Sequence, residues 1–122
     1  MPYIRLSVTQ KLTADEQQAL VNGLGEAMSE IPGKDGSLLI VDVEDDRKIF
    51  FGGVKQESMA WADVRYYSKY EYRYKKKFTA AAFNAVSSVL GTSKDRMCLT
   101  ITEYDNWGAL GDFRDKYYSE VL

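Results

Sequence analysis

A proline directly follows Met1, and it begins a segment that could position a catalytic amine. Residues 3–8 (Tyr-Ile-Arg-Leu-Ser-Val) alternate apolar and polar side chains, which predicts a β-strand. Removal of Met1 by an aminopeptidase would leave Pro2 as the first residue, with its secondary amine anchored in a sheet. An α-amino group has an ordinary pKa near ~7.7 to 8.0, and burial beside another cation lowers that pKa. Pro2 is therefore a candidate general base, and the alternative is a chain that simply opens with Met-Pro.

Composition argues against several other kinds of chemistry. The 122 residues include no histidine and one cysteine, Cys98. Histidine is the commonest metal ligand and general base, so its absence disfavours a metal site and serine–histidine catalysis. A single cysteine cannot form an internal disulfide or a two-cysteine redox motif. We predict no metal and no other cofactor.

Size and charge predict one domain over residues 1–122, since typical domains hold about 100 to 150 residues. The net charge of −2 argues against a nucleic-acid partner. No long apolar segment follows a charged start, so we expect no signal peptide, no membrane partner and a cytoplasmic location. The aromatic content of 13% favours an oligomer in which partner subunits cover apolar surface.

The elements that would hold Pro2 occur twice. Residues 2–46 align with residues 60–104 at a constant offset, strand on strand and helix on helix, so each segment is predicted to be a β-α-β unit. A right-handed crossover makes the two strands of each unit parallel. We predict an α/β fold (α+β by some schemes), in which duplicated β-α-β units form a four-stranded mixed sheet with two helices on one face.

Both predicted helices carry one apolar stripe that would lie on the sheet. The first, over residues 14–30, begins with a capping box of Thr13 and Glu16, and the second, over residues 72–88, ends near Gly91. The stripes consist of Leu20, Leu24, Met28 and Ile31 in the first helix and of Phe78, Ala82, Val86 and Val89 in the second. The sheet would then consist of residues 3–8, 38–43, 59–67 and 97–103.

One face of the predicted sheet has no helix to cover it. On the strand over residues 59–67, Trp61, Asp63 and Arg65 point to that second face. These side chains are too polar for a hydrophobic core and too bulky for a surface that makes no contacts. We therefore expect this face to pack against copies of the chain around a central axis.

The C-terminal segment repeats apolar residues at helical spacing, at Leu110, Phe113, Tyr117 and Val121. This pattern predicts a C-terminal helical extension over residues 109–121. We expect the helix to pack on the domain or on a neighbouring subunit, and the sharper alternative is a lid over the site.

Several of these features together resemble the tautomerase superfamily, in its macrophage migration inhibitory factor (MIF) branch. They are the proline-initiated strand, the β-α-β duplication, Gly33-Lys34, Phe51-Gly52-Gly53, and Ser93-Lys94-Asp95-Arg96 before the last long strand. The resemblance covers about residues 2–108. It implies a homotrimer with a proline site between adjacent subunits, and keto–enol tautomerisation of phenylpyruvate-like α-keto acids.

The resemblance also implies roles for individual residues. Pro2 matches the catalytic base and Lys34 the residue that binds the substrate carboxylate. The remaining substrate-binding candidates are Tyr66 or Tyr67 at a strand end, Cys98 and Thr100 from a neighbouring subunit, and Trp107 and Phe113 at the pocket lip. Cys98 and Thr100 stand where mammalian members have tyrosine and asparagine, so substrate selection is expected to differ. Without the resemblance, Lys34 is a solvated lysine near a helix C-terminus.

Two other function classes stay open. The same proline could serve a decarboxylase, hydratase or dehalogenase of the superfamily, and the altered residues Cys98 and Thr100 could indicate a non-catalytic MIF-like binding or signalling protein. A run of aromatic and basic residues over 65–77 would be compatible with single-stranded nucleic acid. The acidic net charge favours an anion-attracting rim or a solvated surface for this run instead.

Overall fold

The structure is a computed structural model that describes residues 1–119. In chain order its elements are β1 (Tyr3–Val8), α1 (Ala14–Met28), β2 (Ile40–Glu44), β3 (Phe50–Phe51), β4 (Val54–Lys55), β5 (Ala60–Tyr67), α2 (Tyr72–Leu90), β6 (Met97–Tyr104), β7 (Asn106–Ala109) and β8 (Asp112–Asp115). Short 3-10 helices, Gly36–Leu38 and Lys94–Arg96, precede β2 and β6.

Two β-α-β units build the main sheet, whose strand order is β2-β1-β5-β6. β1 pairs in parallel with β2 and antiparallel with β5, and β5 pairs in parallel with β6. α1 connects the first parallel pair and α2 the second, and the two helices pack against each other over the same core. The predicted mixed sheet with two helices on one face is confirmed.

The core lies between the sheet and the helices. Ile4, Leu6 and Val8 of β1 are buried there, as are alternate residues of β5. The predicted stripes lie in this core, where Leu20, Leu24, Met28, Ile31 and Phe78 have no exposed surface. The period of two in the strands and of 3.6 in the helices therefore sets which side chains pack together.

Both helices end close to their predicted positions. The Thr13 hydroxyl accepts a hydrogen bond from the Glu16 amide at 3.1 Å, and the Glu16 carboxylate accepts one from the Thr13 amide at 2.9 Å, which completes the capping box. Gly91, with φ +70°, ends α2 in the left-handed conformation. α1 stops at Met28, two residues before the predicted end, because the chain turns at Ile31.

The opposite face of the sheet carries charged and aromatic side chains. Arg5 approaches Asp42 at 3.5 Å, and Arg65 forms an ion pair with Asp63 at 2.9 Å. Trp61 is 44% exposed on this face. No described helix covers these residues, as the sequence predicted.

The segment predicted as a terminal helix forms a β-hairpin instead. β7 and β8 pair across Leu110 and Gly111, whose φ angles are +55° and +76°. Positive φ at both linking residues is typical of a type I′ turn, whose twist matches that of the paired strands in a hairpin. A right-handed helix cannot contain two residues with positive φ. The helix predicted over residues 109–121 is therefore wrong for the described part, and Val121 lies outside it.

The apolar stripe of that predicted helix is also wrong. Leu110, Phe113 and Tyr117 are each more than 60% exposed, so they do not form one face packed on the domain. Among residues 1–119 there is no helix with the length and apolar character needed to span a membrane.

Candidate functional site

The chain's first two residues are held against the end of β2. Pro2 is buried, and its carbonyl oxygen accepts a hydrogen bond from the Ile40 amide at 2.9 Å. Burial lowers the pKa of the Met1 amino group below its ordinary value of 8.0, and the charges of Lys34 and Arg114 lower it further. The amino terminus is thus fixed by the sheet in a positively charged environment.

A tight turn places Lys34 near the amino terminus. The Lys34 amide donates a hydrogen bond to the carbonyl of buried Ile31 at 3.0 Å. Pro32 and Gly33 lie between them, and Gly33 has φ +75°, which is the residue pattern of a type II turn. This turn follows α1 so closely that the position of Lys34 depends on the packing of that helix.

A second glycine contact holds the same loop on α1. A Cβ atom added to Gly36 would lie 2.9 Å from the Cα of Gly25, closer than side chains tolerate. The loop after Lys34 therefore approaches the helix backbone directly, and this approach requires glycine at position 36.

The Lys34 side chain lies over two aromatic rings. Its Nζ is 5.2 Å from the centroid of the Tyr66 ring and 5.3 Å from that of Tyr70. These rings pack edge to face at 5.6 Å. Burial lowers the pKa of Lys34, and the charge of Arg114 lowers it further. Among residues 1–119 no carboxylate forms an ion pair with Lys34.

Glu103 fixes the two rings beneath Lys34. Its Oε2 accepts hydrogen bonds from the Tyr66 hydroxyl at 2.9 Å and from the Tyr70 amide at 2.8 Å, and its Oε1 lies 3.1 Å from the Lys75 Nζ. Burial and the Glu103 hydrogen bond raise the pKa of Tyr66. Tyr66 has no exposed surface, so its side chain supports Lys34 from the core.

Two cavities contain predicted site residues, and the first of them lies beside the amino terminus. The first, of about 400 Å³, contains the predicted residue Trp107, whose ring packs edge to face on Tyr104 at 5.7 Å. Its walls are formed by Met1, Tyr3, Ile40, Arg65, Tyr104, Trp107, Gly108, Ala109 and Leu110. Met1 therefore connects this cavity to the cationic environment of the amino terminus.

The second cavity, of about 1010 Å³, contains two more predicted residues, Tyr67 and Phe113. Arg114 lines it as well, with other residues of β8 and of the segment that follows. Neither Pro2 nor Lys34 lines either cavity.

Cys98 lies towards the other end of the sheet, and Thr100 lies near its middle. Cys98 is opposite Trp61 on β5, and Trp61 is opposite Ser7 near the end of β1. Because strands rise about 3.3 Å per residue, this is more than ~10 Å from the start of β1. Thr100 accepts a hydrogen bond from the Trp61 indole at 3.4 Å. A single chain does not bring these two residues to Pro2, and their contribution to a neighbour's site stays a prediction.

Arg114 is the site residue that the sequence analysis missed. The apolar spacing predicted a helix in this segment, and Arg114 is not part of its apolar stripe. A hairpin signal was present, because Gly111 interrupts the segment between Trp107 and Phe113. The hairpin puts Arg114 directly opposite Trp107.

The same fold occurs in solved structures described as MIF and 4-OT proteins. Leishmania major MIF2 superposes with a TM-score of 0.84 at 20% identity, over 93% of this chain and 97% of that chain. Pt0534 inactivated by 2-oxo-3-pentynoate has a TM-score of 0.84 at 15% identity, over 96% and 99%. A fused 4-OT, described as an asymmetric trimer, has a TM-score of 0.80 at 16% identity, over 90% and 94%.

The predicted resemblance is thereby confirmed at the level of the fold. No protein-family model matches the sequence, and no curated protein matches it. At identities of 15% to 20%, these similarities establish the fold alone.

Proposed function

We propose that the protein is a keto–enol tautomerase of phenylpyruvate-like α-keto acids, with Pro2 as the general base once Met1 has been removed. The observation that carries this proposal is an amino terminus with a lowered pKa beside Lys34, a cation without a carboxylate partner among residues 1–119. A base with a lowered pKa is neutral over more of the physiological range.

Removal of Met1 would also change access to the base. Met1 forms part of the wall of the 400 Å³ cavity, so its loss would open that cavity towards the Pro2 nitrogen. The buried ring of Pro2 and the hydrogen bond from Ile40 to its carbonyl would hold the nitrogen in place. The mature site would then combine a fixed amine with an aromatic-lined space.

In the proposed reaction, the substrate carboxylate binds Lys34 and directs C3 towards Pro2. The Pro2 nitrogen removes a proton from C3, the C–H electrons form the C2–C3 double bond, and the carbonyl oxygen takes a proton from solvent water. In the reverse direction the prolinium returns its proton to C3. The Lys34 charge holds the carboxylate and opposes protonation of Pro2 before substrate binds.

We further propose a homotrimer that completes the site. The fused 4-OT is described as a trimer, and it shares this fold. The distance between Cys98 and the amino terminus is a second argument, since these residues could meet only across a subunit boundary. The exposed Trp61 and the ion pairs on the uncovered sheet face lie where such a contact would form.

Isotope exchange tests the activity directly. We expect protein with Met1 shown absent by mass spectrometry to exchange the C3 protons of phenylpyruvate for deuterium, followed by NMR. Pro2→Gly keeps a small residue after Met1 but replaces the secondary amine, and we expect about a 100-fold lower rate, as for loss of a general base. Equal exchange by both proteins would contradict the role of Pro2.

A chemical probe separates the enzyme from the binding protein. 2-Oxo-3-pentynoate inactivates Pt0534, and addition of an amine to its triple bond would leave a covalent adduct. We expect one adduct, on Pro2, with loss of exchange. An adduct on a protein that never exchanged phenylpyruvate protons would favour a related proline-dependent reaction, and neither adduct nor exchange would favour the non-catalytic class.

A further inference from the structure

Arg114 occupies a position that connects the two cavities. It is the cross-strand partner of Trp107, which lines the first cavity together with Met1. Arg114 itself lines the second cavity, beside Tyr67 and Phe113. The β7–β8 hairpin therefore presents an exposed guanidinium at the second cavity, and the cross-strand partner of Arg114 lines the first cavity.

This guanidinium differs from every other arginine of the chain. The arginines that form ion pairs with carboxylates are Arg5, Arg47, Arg65, Arg73 and Arg96. Within residues 1–119, Arg114 forms none. The fixed donor fork of an arginine suits a carboxylate in two-point contact, so this charge is open to a ligand.

The acidic neighbours of Arg114 are committed to the backbone. Asp112 accepts a hydrogen bond from the Phe113 amide at 2.8 Å, and Asp115 accepts bonds from the amides of Tyr117 and Tyr118 at 2.8 and 3.1 Å. These carboxylates stabilise the hairpin and the turn after it. Neither carboxylate forms an ion pair with the guanidinium between them.

Electrostatics place Arg114 in the same environment as the proposed site. Its charge lowers the pKa of the Met1 amino group and that of Lys34. Three cationic groups from three separate parts of the chain, the amino terminus, the turn after α1 and the hairpin, therefore act on one another. Such an arrangement is unfavourable by itself and becomes favourable when anions bind.

We propose that Arg114 binds a second carboxylate of the substrate, so that the site prefers 2-oxodicarboxylic acids to α-keto acids with a single carboxylate. This inference rests on the proposed function, because Lys34 is taken to hold the first carboxylate and Pro2 to act on C3. Proton transfer is unchanged from the tautomerisation above. Arg114 takes no part in it and contributes by orienting the far end of the substrate.

A matched pair of substrates isolates the second carboxylate. 2-Oxoglutarate and 2-oxopentanoate have the same five-carbon chain and the same keto acid group, and only the first has a carboxylate at its far end. We expect the protein without Met1 to bind 2-oxoglutarate about tenfold more tightly by calorimetry, as one charge-assisted hydrogen-bonded contact would give. We expect the same preference in kcat/KM for deuterium exchange at C3.

Variants of Arg114 decide whether it causes the preference. Arg114→Leu should bring the ratio of the two dissociation constants close to one by weakening 2-oxoglutarate alone, and Arg114→Lys should restore part of it. Arg47→Leu is the matched control, because Arg47 donates its amide to the Val8 carbonyl at the opposite end of β1. The control should leave the ratio unchanged.

Two results would overturn the inference. One is equal affinity for both acids in the protein that lacks Met1 and carries no substitution. The other is an Arg114→Leu substitution that lowers the affinity for both acids by the same factor. The binding measurement does not need turnover. If neither acid exchanged its C3 protons but 2-oxoglutarate still bound more tightly, the proposed tautomerase activity would be wrong. The role of Arg114 in binding the second carboxylate would then still hold.

Discussion

At the scale of single residues, the amino terminus is controlled by burial and by two cations. The Met1 amine is partly buried, and Lys34 and Arg114 add repulsion to its protonated form. Burial is the larger cause, so the pKa stays low when one cation is removed. We expect the same order of effects for the Pro2 amine that becomes the amino terminus when Met1 is removed, because the base must be neutral before substrate binds.

Lys34→Met tests this account of the amine. Removal of the cation relieves repulsion of the ammonium form, so in the chain that keeps Met1 we expect the pKa of the Met1 amino group to rise but to stay below its ordinary value of 8.0, because burial persists. In the Lys34→Met protein that lacks Met1, where Pro2 is the amino terminus, the rising limb of kcat/KM against pH should shift to higher pH for the same reason. An NMR titration of the amino group measures the first effect.

Lys77→Met provides the matched control, since Lys77 is exposed on α2 and does not contribute to the lowered pKa of the amino group. We expect it to leave the titration unchanged. A Lys34→Met amine that titrates as in the unmodified protein, or at lower pH, would reject the coupling.

At the scale of elements, the sequence predicted the helices and strands whose capping residues and apolar spacing match the side chains that are buried in the core. β1 starts and ends as predicted, and the capping box of Thr13 and Glu16 forms. The stripe from Leu20 to Ile31 is buried. Periodicity and capping are properties of a few neighbouring residues, so they can be read without knowledge of the fold.

The hairpin could not be predicted in the same way. Its apolar residues happen to recur at helical spacing, but Leu110 and Phe113 are exposed and do not pack on one face. The deciding fact is positive φ at Leu110 and Gly111, and Leu110 is a residue that rarely adopts it. Because the element was wrong, Arg114 was missed. The convergence of Arg114 with Lys34 is a long-range property that no local pattern contains.

Leu110→Asn should stabilise the hairpin. Left-handed backbone costs a leucine about 1 kcal/mol or more, and asparagine before glycine is the preferred pair in a type I′ turn. We expect a gain of about 0.5 to 1 kcal/mol, or two- to fivefold slower exchange of the Lys116 amide. This amide donates to the Asp105 carbonyl at 2.8 Å beside the hairpin's open end.

Leu38→Asn is the control for this substitution. Leu38 is also exposed, and it lacks a positive φ. It should therefore leave the Lys116 amide unaffected. Faster exchange in Leu110→Asn would show that contacts of Leu110 with the first cavity outweigh its backbone strain.

At the scale of the whole molecule, one chain leaves apolar and aromatic surface without cover. Phe50, Phe51 and Val54 on the β3–β4 hairpin are each about half exposed or more, and Trp61 is exposed on the sheet face opposite the helices. Monomers rarely leave such surface open. The candidate site is divided in the same way, with Pro2 and Lys34 at one end of the sheet and Cys98 at the other. Trimer assembly would account for both features.

We expect light scattering after size-exclusion chromatography to give about three times the 13.9 kDa mass of one chain. Trp61→Glu would bury an unpaired charge where subunits meet, which costs several kcal/mol, so this variant should dissociate. Ala80→Glu, on the exposed side of α2, should remain trimeric. Because the neighbour's Cys98 and Thr100 would be lost with the interface, dissociated Trp61→Glu with a native circular dichroism spectrum should also lose C3 exchange. A monomeric unmodified protein, or a monomeric variant with full exchange, would show that one chain forms the complete site.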